Sequence, residues 1–333
     1  MSKTSFETPI FIGGVGRSGT TLIQAMLNAH GNISFTPETH FIKNYLTNYK
    51  VLKKAKKGNE SWIEKKIIND DYLKRLNFNS YLLVEILRNN NFNLLKFYKE
   101  LLIRYSKKND KDLKYIGEKD PKFIEHFKEI NDIFPKAKII HIIRDPRDVV
   151  LSRMKTEWSK DRNYLIHSLI YRLQLNKALK DGKKYFGNNY YQVFYEDLLN
   201  KPEKILKDLS KFLNIKYEKD MLNFNKKADE IVRKDEEKWK KNCYKPVLKN
   251  NYNKWKKELS NTKIYFIELI CLPAFNKFNL YTKNNKKIDL KDVLLNHSIN
   301  LIIDFFELIY NFYHKYRSNK VCNYFRSLEY VEK

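Results

Sequence analysis

Short apolar runs alternate with segments of helical spacing along most of this chain. Residues 9–14 are apolar and end in glycine, and the helix-compatible TTLIQAMLNAH follows. A second short stretch, NISFT, leads into PETHF, and LKYIGEKDP reads as a strand ending in a polar turn. KAKIIHIIRDP is the clearest buried strand, with Ile139, Ile140, Ile142 and Ile143 interrupted only by His141. YYQVFYEDL is a strand that runs into the helix PEKILKDLSKFL. KFIEHFKEINDIF, DVVLSRMK and residues 164–184 carry helical spacing. Short apolar strands alternating with helices predict an α/β fold with a parallel sheet flanked by helices. In such sheets the functional loops lie at the carboxyl ends of the strands.

Two regions depart from this alternation. Residues 42–111 are rich in Lys, Asn, Leu and Tyr, with mixed helical spacing, and read as a helical insertion within a domain spanning 1–285. Residues 286–333 read as an amphipathic helical tail. Between 288 and 314 the tail is apolar on a wide arc, while Asn300, Asp304, Glu307, Asn311 and His314 recur every three or four residues as one narrow polar stripe. Two acids near its middle argue against spanning a bilayer, because a central Asp costs roughly 2.5–3.5 kcal/mol there. Three readings stay open: a helix docked on the domain, a homodimer contact, or a helix lying on a membrane surface, helped by the flanking lysines.

Composition narrows the class without choosing a partner. The formal net charge of +26 fits anionic partners, yet Lys is also used heavily in plain solvent-facing stretches. Cys243, Cys271 and Cys322 are widely spaced, with no CxxC pair and no disulfide framework, as expected in a reducing compartment. The start lacks a signal-peptide pattern, and no window offers ~18 uninterrupted apolar residues. A cytoplasmic location is therefore expected, peripheral at the membrane if the tail binds there. No nucleic-acid module is recognised. His126, His167, His297 and His314 lack metal-ligand spacing and are expected at the surface or half-buried.

The candidate chemistry begins at GGVGRSGTT, residues 13–21, between the first strand and the first helix. From Gly14 it has the spacing of a P-loop, with Thr20 where an NTPase carries lysine. Glycines let successive N–H groups point at anion oxygens, and the helix N-terminus adds partial positive charge. Ser18, Thr20 and Thr21 supply hydroxyls, and Arg17 supplies a fixed cation. The missing lysine, and the lack of an obvious acidic metal-binding strand end, weigh against the alternative of a Mg-dependent P-loop kinase or nucleotide hydrolase. No metal site is expected.

The strand end HIIRDPRDVVLSRMK places Arg144 where the chain leaves the sheet, with Ser152 about two helical turns later. Alone, Arg-Asp-Pro could be a salt-bridged turn. Paired with the glycine loop, it implies a nucleotide with two separated phosphate groups.

These motifs resemble sulfotransferases that use 3′-phosphoadenosine 5′-phosphosulfate (PAPS), above all the tyrosylprotein sulfotransferases and their bacterial relatives. GGVGRSGTT resembles their 5′-phosphosulfate loop and RDPRDVVLS their 3′-phosphate element. The acidic PETHF with Glu38, Lys119-Asp120-Pro121, Tyr195-Glu196-Asp197-Leu198, and Lys245-Pro246-Val247 followed by Trp255 appear in the family's order. The resemblance covers about residues 8 to 282. It implies a P-loop-type fold in which Gly16, Arg17, Ser18, Gly19, Thr20 and Thr21 hold the 5′-phosphosulfate. Arg144 and Ser152 would take the 3′-phosphate, and Tyr195 and Lys245 would complete the nucleotide site. Glu38, Arg17 and Lys119 would stand at the reaction centre, where a hydroxyl-bearing acceptor receives the sulfuryl group.

Departures from the family concern the acceptor more than the donor. The animal enzymes' amino-terminal anchor and lumenal disulfides have no counterpart in these motifs. A further nucleotide-binding arginine is replaced by Thr156, with Arg153 and Lys155 adjacent. Glu38 is the expected general base, His40 is the rival two residues on, and helix capping near Phe41 is the non-catalytic alternative for Glu38. The acceptor could be a peptidyl tyrosine, a glycan or a small molecule.

Overall fold

In the computed structural model the described residues are 8–55, 59–107, 113–232, 241–278, 280 and 290–329. Five strands form one parallel sheet: β1 Ile10–Gly13, β2 Ile33–Phe35, β3 Tyr115–Lys119, β4 Lys138–Ile143 and β5 Tyr190–Phe194. Their order is β2-β3-β1-β4-β5, so β1 lies between β3 and β4, with Ile12 level with both Lys119 and Ile140. β1, β2 and β4 coincide with apolar runs of the sequence, while β3 (YIGEK) carries Glu118 and Lys119 at its carboxyl end. The reversal of chain direction beside β1 opens a crevice at the carboxyl edge, the usual ligand position in open α/β sheets.

Alternation along the strands splits the core into two faces. Ile10, Ile12, Ile140 and Ile142 pack with Ile23, Met26 and Leu27 on one face. Phe11, Ile139 and Ile143 join Phe123, Phe127 and Ile130 on the other. His141, the polar interruption of β4, is fully buried on that second side, with Nδ1 2.5 Å from the Tyr190 hydroxyl. Burial pushes its pKa down to about 3, so it sits there as a neutral ring.

The helices are α1 Thr20–Asn28, α2 Tyr49–Lys54, α3 Glu60–Ile68, α4 Ser80–Asn89 and α5 Leu94–Lys107, then α6 Phe127–Ile133 and α7 Pro146–Met154. They continue with α8 Tyr164–Phe186, α9 Tyr195–Asn200, α10 Pro202–Phe212, α11 Trp255–Glu258, α12 Asn261–Ile270, α13 Leu272–Phe278 and α14 Leu290–Glu329. The expected continuous helix after Lys119 divides into a 3₁₀ turn, Pro121–Glu125, and α6. Pro121 supplies the preset φ of a first helical residue, and Asp120 caps the turn by accepting from the Lys122 N–H.

The insertion contributes α2 to α5 and packs onto the sheet instead of standing apart: Leu83, Ile86, Phe97, Tyr98 and Leu101 share a core with Phe11 and Ile116. The tail is a single helix, α14, against α2, α6, α8 and α12. Its orientation inverts the usual rule. The polar stripe faces inward: Arg172 donates to Asn300 and Asp304, and Asn176 donates to Glu307. His126, His167 and His314 are likewise buried, correcting the expectation of surface or half-buried rings. Helix-to-helix packing, invisible in ligand spacing, is what covers them.

Candidate active site

Every motif reaches the same edge of the sheet. Arg17 follows β1, Glu38 follows β2, Lys119 ends β3, Arg144 follows β4 and Tyr195 follows β5. Together they line a cleft of about 690 Å³.

The loop between β1 and α1 is held in a strained curl. Arg17 has φ 81° and Gly19 has φ 97°, a left-handed conformation that costs a non-glycine residue energy and tends to persist at functional sites. At Gly19 a Cβ would stand 2.3 Å from the Tyr195 ring, and at Gly14 one would stand 2.5 Å from the Ile142 carbonyl oxygen. Glycine is therefore required at both places for close approach, and at Gly19 also for its left-handed φ. Helix α1 has no side-chain cap and no acid in its first turn, so its N-terminal N–H groups are left to whatever enters the cleft.

Cations crowd this end. Arg17 Nε donates to Ser152 Oγ at 3.1 Å, and Arg144 Nη1 donates to the Arg17 carbonyl at 3.1 Å. The Arg144 guanidinium also lies over the Tyr195 ring at 4.4 Å, and Asn251 donates to the Tyr195 hydroxyl at 2.8 Å. Burial, with Arg144 beside it, lowers the pKa of Arg17 below its ordinary value. Arg153 is pushed down to about 10, first by burial and then by Arg162. An anion placed here relieves both repulsions. Ser18 Oγ and Arg144 Nε are buried without a hydrogen-bond partner among the described residues, a cost that a bound anion could offset.

At the opposite wall stands the acidic motif. Glu38 accepts a very short hydrogen bond from Lys119, whose ammonium also lies 3.2 Å from Thr21 Oγ1. Lys119 thus ties the first turn of α1 to the carboxylate across the cleft. His40 Nδ1 is 2.5 Å from Asp120 Oδ2, and His40 Nε2 is 3.9 Å from Glu38 Oε2. The two candidate bases are therefore neighbours in one chain of groups, Asp120–His40–Glu38–Lys119. Asp120 is buried, which alone would raise its pKa, but the His40 hydrogen bond and charge bring it below the ordinary carboxyl value. No side chain caps the π-helical turn Ile42–Leu46, so Glu38 is not held there as a cap.

Of the sequence-selected residues, Gly16, Arg17, Gly19, Thr20, Thr21, Glu38, Lys119, Arg144 and Tyr195 line the cleft directly. Ser152 acts one bond behind Arg17, and Ser18 is buried within the loop. Lys245 is exposed and does not line the cleft, although Pro246, Val247 and Leu248 do. Arg153, set beside Thr156 in the sequence reading, reaches the cleft: its Nη1 is 3.5 Å from where a Gly16 Cβ would be. Thr156 instead donates to the Arg153 carbonyl at 2.8 Å.

Other residues of the site escaped the motifs. Tyr72 and Arg75 come from the insertion, Lys122 from the turn after β3, and Trp158 and Arg162 from the segment after α7. Arg75 Nη1 is 3.4 Å from the Glu38 carbonyl, and the Tyr72 ring meets His40 edge-on at 4.3 Å. Beneath the acidic motif, fully buried Glu118 accepts from the Thr39 N–H at 2.8 Å and from the hydroxyls of Thr39 and Tyr98. Burial raises its pKa, against the pull of those hydrogen bonds. The one available signal was a charged residue inside an apolar strand. Asp145 and Arg147 of the RDPRD motif do form a structural turn: Asp145 caps α7, and Arg147 bridges it to Glu268 over the Trp255 ring at 3.7 Å.

Fold and cleft define a P-loop-type α/β domain with a cation-lined cleft at the carboxyl edge of its sheet. The sulfotransferase family model matches residues 9–219, and the chain belongs to that family. Among curated relatives it is 27% identical over 256 residues to protein-tyrosine sulfotransferase 1 of Danio rerio, covering 74% of this chain and 65% of that protein. It is also 27% identical over 234 residues to protein-tyrosine sulfotransferase A of Caenorhabditis elegans, covering 68% and 54%. The chain thus spans roughly half to two thirds of the length of these relatives. Among solved structures, the fold is similar to the sulfotransferase domain of the Synechococcus PCC 7002 olefin synthase, with TM-score 0.60 and 19% identity over 84% of this chain and 98% of that one. The sulfotransferase domain of the curacin biosynthetic pathway gives TM-score 0.61 and 20% identity over 82% and 98%.

Proposed function

We propose that this chain transfers a sulfuryl group from PAPS to an acceptor hydroxyl, with Glu38 as general base. The observation that carries this reading is the convergence of Arg17, Lys119, Arg144 and Arg153 on one glycine-loop cleft that also holds Glu38. The loop N–H groups, Ser18, Thr20 and Thr21 bind the 5′-phosphosulfate, while Arg144 and Ser152, the latter bonded to Arg17, take the 3′-phosphate. Lys245, exposed at the cleft edge, stays a weaker candidate for the nucleotide.

In the reaction Glu38 accepts the acceptor's hydroxyl proton as that oxygen attacks sulfur. The bond from sulfur to the bridging oxygen breaks, and its electron pair leaves with adenosine 3′,5′-bisphosphate. Arg17 and Lys119 offset the charge developing on that oxygen, so donor binding moves Lys119 from Glu38 toward the leaving group. His40, held by Asp120, keeps the Glu38 carboxylate oriented. Family membership weighs against the kinase or hydrolase alternative.

The named relatives favour a peptidyl tyrosine as acceptor over a glycan or small molecule. Tyr72 and the cationic Arg75, Lys122 and Arg162 at the cleft rim suit an aromatic hydroxyl flanked by acidic groups. The test is transfer of label from sulfur-labelled PAPS, in the presence of a chelator, to a panel of tyrosyl peptides, glycans and phenols. Label on the tyrosyl peptides is expected. Absence of transfer to every class, together with transfer of γ-phosphate from Mg-ATP, overturns the reading.

A further inference from the structure

The outward face of α14 carries most of the large hydrophobic side chains exposed among the described residues. Nine apolar or aromatic side chains from Leu301 to Tyr316 are exposed, from 47% at Phe306 to 71% at Phe312. At ~1.5 Å per residue this strip runs for about 22 Å. Patches of this kind on a soluble domain mark an interaction surface.

The strip is free because the helix is docked by its other side. Besides the pairs with Arg172 and Asn176, Tyr310 donates to Glu125 at 2.8 Å, and Arg317 donates to Glu129 at 3.0 Å. Val321 closes into the main core. Both acids of the polar stripe are thereby paired with the domain, Glu307 half-buried and Asp304 still 61% exposed at its edge. An ordinary terminal helix would bury its apolar face against its own domain and leave the acids in water. Here the domain supplies specific partners for the polar side, and the apolar side is kept outward.

Charge chooses between the possible occupants. Lys315 and Lys320 are exposed at the carboxyl end of the strip, where Lys320 reaches over the Tyr316 ring at 4.3 Å. Lys50 and Lys53 are exposed on α2, which packs on the same helix, and Lys128 reaches Asn319 at 2.9 Å. A second copy would bring the same lysines, and another formal charge of +26, against these. An anionic lipid surface matches both the apolar strip and its basic end. No helix among the described residues is long and apolar enough to cross a membrane, so α14 would lie in the interface.

We propose that α14 is a membrane-surface helix that seats this domain on anionic bilayers through its outward aromatic strip, with the basic end paired to lipid headgroups. The reading does not depend on the chemistry assigned to the cleft. The experiment is co-sedimentation of the full chain with vesicles of phosphatidylcholine alone, or containing about a third phosphatidylserine. Wild type is expected on the anionic vesicles, with at least about tenfold weaker binding to neutral ones and weakening with salt. The double variant Phe305→Glu/Phe312→Glu, at exposed positions, should lose about tenfold or more with unchanged circular dichroism and melting temperature. Lys315→Glu/Lys320→Glu should lose several-fold. No binding by wild type, equal binding to both vesicles, or an unaffected phenylalanine variant overturns the proposal. So does a dimer in light scattering that the phenylalanine variant disperses while vesicles remain unbound.

Discussion

The two ends of the cleft are built differently. The donor end is made of strand termini: Arg17, Arg144 and Tyr195 hold one another through a hydrogen bond and a stacked guanidinium before any ligand arrives. The rim near Glu38 is made of borrowed pieces, with Tyr72 and Arg75 supplied by the insertion. On the proposed function, a preformed donor end would hold one nucleotide whatever the acceptor. A rim of exposed side chains from separate segments can diverge without disturbing the sheet. On the proposed function, the difference assigns donor chemistry and acceptor choice to separable parts of one cleft.

The sharpest way to probe that division is at the point where the ends meet. Glu38→Gln should cut turnover by about 10²–10⁴-fold while leaving adenosine 3′,5′-bisphosphate affinity within about twofold, read by steady-state kinetics and calorimetry. His40→Ala should cost far less than Glu38→Gln, and the reverse ranking would make His40 the base. At the donor end, Gly19→Ala forces a Cβ into the Tyr195 ring at a left-handed φ. Bisphosphate affinity should fall by roughly tenfold or more, with a loss of stability of about 1–3 kcal/mol seen in the melting temperature. At the rim, Arg75→Ala/Arg162→Ala should raise the acceptor KM several-fold and leave bisphosphate affinity unchanged. Equal losses for donor and acceptor would break the division.

The smallest effect concerns Glu125, which accepts from Tyr310 of the tail and from Gln174 of the cleft wall. Burial alone would raise its pKa, but Lys122 and Gln174 hold it down at about 2. A depressed carboxyl stabilises the fold above its unfolded pKa and loses that contribution as pH falls through the folded value. The melting-temperature gap between wild type and Glu125→Gln should be full above about pH 5 and shrink toward pH 2. A gap that widened on acidification would reverse the assignment.

Much of this was legible in the chain itself. The strands were legible as short runs ending in polar turns, and Arg17 and Arg144 followed from their places at strand ends, whereas Glu38, Lys119 and Tyr195 were picked out by the family resemblance. Arg153 was set only beside Thr156 and Glu118 was not singled out, because their places depend on packing: one leans over Gly16, the other anchors Thr39 from below. The tail shows a different limit. Its stripe of Asn300, Asp304 and Glu307 was plain in the spacing, but periodicity says only that a helix has two faces. Which one turns inward was decided by Arg172 and Asn176, more than a hundred residues away.

The account stands on a cleft that reads two separated anionic groups without a metal. Calorimetry of adenosine 3′,5′-bisphosphate and adenosine 5′-monophosphate in chelator, on wild type and Arg144→Ala, tests this most directly. The account predicts metal-independent bisphosphate binding that Arg144→Ala weakens by more than ~1.5 kcal/mol, with a much smaller loss for the monophosphate. Equal losses for both ligands, or bisphosphate binding that requires Mg²⁺, would contradict it.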